Sequence, residues 1–204
     1  MKYLVIGGTG RTGTHAVTQL RNLGHEVLIG TRHPRDEHSL AIDLATPLEP
    51  QIFADIDGII VSVEPPTDDA GADAVMHQGV ARLAELAAAQ KIPVILVSQI
   101  YITRADEHPD MAGIIRARAA GEQSLRTSGA PYAIVRPSWL TNAPATGARL
   151  EQGDHGDGQI SRETVAQAAV AALLHPESHN KTFELYDAPI PLDWPTAFTA
   201  LTPD

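Results

Sequence analysis

The sequence predicts an α/β fold, a doubly wound parallel sheet in a single domain with helices on both faces. Two observations carry this. Strand-like and helix-like patterns alternate along all 204 residues. Near the start, the apolar run Tyr3–Ile6 enters a turn holding Gly7, Gly8, Gly10 and Gly13. A helical pattern follows with Ala16, Val17, Leu20 and Leu23, then Gly24 and a second apolar run, Val27–Ile29. Strand, glycine turn, helix and strand within about thirty residues is the context in which a glycine fingerprint holds a dinucleotide. One glycine allows the sharp turn, one lets a pyrophosphate approach the backbone, and one lets the helix pack on the sheet. The helix N-terminus adds free N–H groups and the positive end of its dipole. Two registers fit, Gly8-x-Gly10-x-x-Gly13 and Gly7-x-x-Gly10-x-x-Gly13. The competing account is a tight β–α turn that binds nothing.

The remaining elements follow in order. Strands are expected at Lys2–Ile6, Glu26–Gly30, a short one near Ser39–Ile42, Gly58–Val63, Val94–Ser98, Tyr132–Arg136 and near Thr182–Tyr186. Their β-branched runs suit strands buried on both faces. Helices are expected at Arg11–Leu23, about Ala72–Gln90, about Ala112–Ser128, about Arg162–Leu174 and near Trp194–Leu201. Pro93, Pro131 and Pro176 lie just outside helices, where a missing N–H is tolerated. Segment 141–160, rich in Gly, Asp and Ala, is expected as a loop-rich flap of the one Rossmann-like domain, residues 1–204. It follows the sixth strand, at the carboxyl edge where open α/β sheets bind ligands.

Composition narrows the function. Hydrophobic residues make up 43% and charged residues 20%, as in ordinary globular proteins. No apolar run is long enough to span a membrane, and no basic-then-apolar leader precedes the first strand. Cysteine is absent, which excludes disulfides and thiol catalysis, and the cytoplasm is the default location. The formal charge of −10 argues against a nucleic-acid surface and makes local arginines informative. Arg32, Arg35, Arg116 and Arg118 stand out against it.

The second strand ends Gly30-Thr31-Arg32-His33, and the first acid comes only at Asp36. A carboxylate at this strand end accepts from the ribose hydroxyls of NAD, whereas an arginine suits the extra phosphate of NADP. Arg32 can hold that 2′-phosphate by a charge-assisted contact, Thr31 can add a hydroxyl, and NADP(H) is the expected cofactor. Arg11, inside the glycine turn, is expected to point toward the same phosphate or the adenine. The bland alternative makes both arginines solvated surface residues. Gly7, Thr9, Gly10, Arg11, Thr12 and Gly13 form the expected phosphate turn. Asp43, with Leu44 beside it, either accepts from the adenine amino group or serves as a turn residue. Ser62, Val63 and Glu64 end the fourth strand and are expected to border a cofactor ribose.

These features together resemble the atypical short-chain dehydrogenase/reductase family, the small NAD(P)H-binding proteins similar to biliverdin-IXβ (flavin) reductase. The likeness rests on GGTGRTG at 7–13, TRHP at 31–34, AIVRPSWL at 133–140, ISRETVA at 160–166 and TFEL at 182–185. It covers nearly the whole chain and speaks to fold and cofactor, not to substrate. In catalytic members of the wider superfamily, a Tyr-x-x-x-Lys pair sits on the helix that fills 112–128 here. The resemblance puts the lysine position on Arg118 and the tyrosine position on Ile114. Arginine can bind a ribose or a phosphate but does not release its proton. The superfamily serine at the end of the fifth strand corresponds to Ser98, and Gln99 follows it. Backbone beyond Arg136, at Pro137 and Ser138, is expected to meet the nicotinamide carboxamide.

Loss of the pair disfavours alcohol or sugar chemistry yet leaves hydride transfer to flavins, quinones or conjugated pigments, where water can supply the proton. Ser98, Tyr101 and Arg118 are the catalytic candidates. Tyr101, Met111, Trp139 and Leu140 are the candidates for contact with a small planar substrate; core packing is the other account of Trp139 and Met111. The function expected is NADPH-dependent reduction of such an acceptor, and the alternative is a non-catalytic NADP(H)-binding redox sensor or regulator. Aromatics are only 4% of the chain, so two near one edge favour the enzyme. His175 with His179, and His33 with His38, lack a third metal ligand, and positive charge at a helix C-terminus is the simpler account of the first pair. The stretch Gly153-Asp-His-Gly-Asp-Gly lacks the closing glutamate of a calcium loop and is read as a turn. Ser98 lacks a G-x-S-x-G context for hydrolysis.

Overall fold

The computed structural model describes residues 1–204. Strand β1 (Lys2–Ile6) leads through the glycine turn into α1 (Gly13–Asn22), followed by β2 (Glu26–Thr31), β3 (Ser39–Ala41) and β4 (Gly58–Val61). Next come α2 (Asp69–Ala72), a π-helical segment (Asp73–Gly79) and α3 (Val80–Gln90), which run on as one helix. The chain continues through β5 (Val94–Val97), α4 (Ala112–Thr127), β6 (Tyr132–Pro137), β7 (Trp139–Thr141), β8 (Gly147–Glu151), β9 (Gln159–Ser161), α5 (Arg162–Leu174), β10 (Lys181–Ala188) and α6 (Trp194–Thr199). The main sheet has eight strands in the order β3-β2-β1-β4-β5-β6-β10-β8, parallel throughout except for β8 against β10. The order reverses between β1 and β4, the switch point at which such sheets bind ligands. No helix is long and apolar enough to cross a membrane.

Alternation along the strands builds two cores. Tyr3 and Val5 of β1 pack with Val17 and Leu20 of α1 and the alanine-rich α5, while Leu4 and Ile6 face the opposite layer with Met76, Leu83 and Leu125. Both faces of the central strands are therefore buried, which explains their unbroken apolar runs. Helix starts follow local chemistry. Asp68 accepts from the Gly71 N–H at 2.8 Å, and Ser161 accepts from the Thr164 N–H at 3.0 Å.

Three features differ from the sequence expectation. The helix expected from Ala72 starts at Asp69 and carries the π segment, whose Met76 carbonyl lies against Gly121 of α4; any Cβ at Gly121 would strike it. Segment 141–160 is less loop-like than expected. Gly147–Glu151 is the last strand of the main sheet, and Trp139–Thr141 pairs in parallel with Gln159–Ser161. An edge strand needs no two-faced apolar run, so its sequence carries little signal. Burial also lowers the His179 pKa, which works against the helix-end charge expected of it.

A buried ion cluster ties α4 to the sheet. Arg136 of β6 donates to Glu122 of α4 at 2.6 and 3.1 Å and to Glu184 of β10 at 3.0 Å. Burial works against the charge on Arg136, but the two carboxylates outweigh it and its pKa is raised. Removing one partner of such a cluster leaves uncompensated buried charge. Arg136→Met is therefore expected to cost about 3–5 kcal/mol in urea unfolding. Replacing Glu122 and Glu184 by Leu in the same chain should recover most of that loss. A loss below about 1 kcal/mol in the single variant would mean that the cluster does not hold α4.

Candidate functional site

The structure shows what three glycines of the turn do. Gly7 has φ +83°, and a Cβ there would strike the Ser62 carbonyl that ends β4. At Gly13 a Cβ would strike the Gly7 carbonyl, so this glycine lets α1 pack on the turn. Gly10 is different, since its Cβ would meet only the Gly7 carbonyl, at 3.1 Å. The spacing Gly7-x-x-Gly10-x-x-Gly13 thus divides into turn, open face and helix contact. The N–H groups of Thr9, Arg11, Thr12 and Gly13 donate to nothing within the chain. Free donors at a helix start are the kind of group that holds an anion.

Two cavities of about 290 Å³ each flank this turn and share Glu64. The first lies over the ends of β1, β2 and β4. Gly7, Thr9 and Gly10 line it from the turn, with Thr31 and Arg32 from the end of β2. Asp43, Leu44, Ser62 and Val63 complete it, so the residues expected for the adenosine half do come together. Thr12 and Gly13 line neither cavity and sit at the start of α1. Arg32 is exposed and makes no ion pair, which leaves its guanidinium free for a ligand. Asp43 Oδ1 accepts from the Ala45 N–H at 2.9 Å, so this residue is a turn residue whose second oxygen stays available.

The second cavity lies over the ends of β5 and β6. Ser98, Gln99 and Tyr101 line it after β5, Pro137 from the end of β6, Ser138 just after it, and Trp139 and Leu140 from β7. Met111 and Arg118 close it from the side of α4. Arg11 corrects an expectation. It lines this cavity beside Arg162, away from the first cavity that holds Arg32. The turn projects successive side chains in different directions, which spacing cannot show. Arg162 was not foreseen, although it stands at the first position of α5, just after the Ser161 cap.

Arg118 is buried, which removes the solvated-face account of it. Its Nη1 donates to the Val97 carbonyl at 3.4 Å, and its Nη2 lies 3.6 Å from Glu64 Oε2. Burial lowers its pKa, and the charges of Glu64 and Glu122 oppose that shift. Arg118 Nε, Ser98 Oγ and Ser138 Oγ are buried and have no hydrogen-bond partner. Most buried polar atoms in folded proteins are satisfied, so three orphans in one cavity fit a polar ligand. Arg116, by contrast, is an exposed partner of Asp69 at 3.7 Å.

Tyr101 sits differently from the expected substrate contact. Its backbone is left-handed, at φ +72°, and only 3% of the residue is exposed. The hydroxyl donates to Asp157 at 2.6 Å and accepts from the Trp139 indole N–H at 2.9 Å. Its ring packs against His108 and the Arg104 guanidinium. Burial, then the hydrogen bond to Asp157, raise its pKa, so the proton is held rather than offered. Asp154, missed from the sequence, holds this turn by accepting from the Tyr101 N–H at 2.7 Å and the Thr103 N–H at 2.8 Å. Trp139 is 50% exposed and does not fill the core, while Met111 packs against the small cluster around Tyr101.

The model of the NAD(P)H-binding family matches residues 7–176. A chloroplastic protein of Arabidopsis thaliana, of uncharacterised activity, is 31% identical over 90% of this chain and 76% of its own length. A Bacillus halodurans protein designated an NAD-dependent epimerase/dehydratase superposes with a TM-score of 0.86 at 22% identity, over 98% of this chain and 100% of that one. ChuY, an anaerobillin reductase from Escherichia coli O157:H7, superposes with a TM-score of 0.74 at 17% identity, over 94% and 100% of the two chains. At these identities the structural likenesses establish a shared fold.

The glycine geometry makes a sharp prediction. Gly10→Val should leave the circular-dichroism spectrum unchanged and abolish dinucleotide binding in a fluorescence titration, because the branched side chain occupies the open face of the turn. Retained affinity in a folded Gly10→Val variant would contradict the proposed turn.

Proposed function

The chain belongs to the NAD(P)H-binding family, and from that premise we propose that it is an NADPH-dependent reductase acting on a small planar acceptor such as a flavin, quinone or conjugated pigment. The observation that carries this is the second cavity. Ser98, Ser138 and Arg118, each with a buried polar atom lacking a partner, line it together with the exposed Trp139, and Glu64 borders both this cavity and the first. Ser62, Val63, Asp43 and Leu44 would hold the adenosine half of the cofactor, with Arg32 and Thr31 at its 2′-phosphate. Ser98, Arg118, Pro137 and Ser138 would hold the nicotinamide half. When bound, the cofactor supplies the hydride.

The protein's part is orientation. Trp139, Leu140 and Met111 offer a flat apolar wall for the acceptor. Tyr101 is a positioning residue that fixes the indole of Trp139 by its hydroxyl. Its raised pKa and its bond to Asp157 make it a poor acid. Ile114, in the helix that carries Arg118, does no proton chemistry, and arginine holds its proton. We therefore assign the proton to solvent, which suits acceptors activated for hydride attack. The name of ChuY, a reductase of a bilin-type pigment, is in keeping with this class of acceptor. The cytoplasm is the compartment we propose for this chain, on its composition; the plant relative is chloroplastic by name.

Following NADPH absorbance against a panel of flavins, quinones and bilin pigments tests the reading. Consumption with at least one acceptor is expected; tight NADPH binding without consumption would instead support the non-catalytic sensor. NADPH should bind tenfold to a hundredfold more tightly than NADH, because a charge-assisted phosphate contact is worth about 1.5–3 kcal/mol. Arg32→Ala should erase most of that preference, and equal affinities in the unaltered protein would sink the role given to Arg32.

Arg118 gives a second test. Arg118→Ala should weaken NADPH binding in isothermal titration, and Arg118→Lys should restore most of it, since either cation can reach a ribose hydroxyl. An affinity unchanged in Arg118→Ala would remove this residue from the site.

A further inference from the structure

Charge around the second cavity is unbalanced. Three arginines line it, Arg11, Arg118 and Arg162, against one carboxylate, Glu64. Glu64 lies 3.6 Å from Arg118 and its charge also acts on Arg162, so one carboxylate serves more than one guanidinium. Arg11 makes no hydrogen bond or ion pair from its side chain, and its backbone is fixed by the glycine turn. The Arg162 Nη1 donates to Asn142 Oδ1 at 2.7 Å and to the Leu140 carbonyl at 3.3 Å. Both acceptors are neutral, so they orient the guanidinium without cancelling its charge, and its Nη2 and Nε stay free. Arg162 also opens α5, where the helix dipole adds positive potential. In a chain of net charge −10, three arginines facing one cavity with a single carboxylate among them mark a place for an anion.

We propose that Arg11 and Arg162 form an anion subsite for the hydride acceptor, selecting a planar molecule that carries a phosphate or a carboxylate. The inference rests on the reductase reading of the second cavity. The flat apolar wall of Trp139, Leu140 and Met111 takes the ring system, and the arginine pair takes the charged substituent. The cofactor diphosphate is the rival occupant. It already has the four free N–H donors of the turn, whereas Arg162 stands on a different element, tied to the loop after β7.

FMN and riboflavin share one ring system and differ by a phosphate, so they isolate the subsite. Their binding is measured by flavin fluorescence in the presence of saturating NADP+, and their reduction by NADPH absorbance. Biliverdin and its dimethyl ester make the same comparison for carboxylates. We expect the anionic member of at least one pair to bind about tenfold more tightly. Arg162→Gln should bring that ligand down to its uncharged counterpart, while NADP+ affinity, which also reports folding, stays within about twofold. Which pair shows the preference identifies phosphate or carboxylate as the group read.

Equal affinity within both pairs overturns the subsite, and reduction of both members at one rate does so while leaving the reductase reading intact. Loss of NADP+ affinity in a folded Arg162→Gln variant also overturns it and assigns the arginine to the diphosphate. Preferential anion binding without turnover supports the subsite and removes the reductase reading. Failure of all four ligands to bind removes both.

Discussion

Arg136 is the group on which the geometry of the site depends. It stands between Glu122 of α4 and Glu184 of β10, with both carboxylates buried. Glu122 also accepts from Arg126, which reaches Thr182 and Asp204. One helix, two strands and the end of the chain are thereby held in one register. A buried ion cluster of this kind adds little net stability over a well-packed apolar core. What it supplies here is placement, because misplacing α4 would leave charges without partners. Arg118 lies one helical turn before Glu122, so the cluster delivers its guanidinium to the end of β5 and to Glu64.

A second set of contacts shapes the acceptor side. The stretch after β8 folds back over the end of β5 and is fastened by Asp154, which takes the N–H groups of Tyr101 and Thr103. That bonding helps to keep Tyr101 in a left-handed conformation that non-glycine residues seldom adopt. The tyrosine hydroxyl then links Asp157 to the Trp139 indole. Strain in the backbone, a buried carboxylate and an exposed aromatic ring are thus parts of one construction at the cavity mouth. Its polar atoms are satisfied within the protein, in contrast to Ser98, Ser138 and Arg118, which line the cavity and each keep a buried polar atom without a partner. The cavity therefore combines apolar side chains with polar residues whose hydrogen-bonding capacity is unmet.

Whatever depends on near neighbours in the chain could be read from the sequence. The glycine spacing, the apolar runs and the helix caps act over a few residues, so β1, α1, β2 and α5 were legible, as was the grouping of Thr31, Arg32, Asp43 and Ser62 at one sheet edge. Parallel topology follows from alternation, and it brings those strand ends together whatever the loops do. Tertiary structure alone decided what depends on direction and on distant partners. Spacing did not tell that Arg11 turns toward Arg162 and away from Arg32, since neighbouring turn residues project differently. Nor did it tell that Arg118 is buried, because that follows from α4 being drawn to the sheet through Glu122 and Arg136. Strand β8 and the clasp by Asp154 were hidden for the same reason: an edge strand and a buried turn carboxylate draw their stability from β10 and Tyr101, which lie far away along the chain.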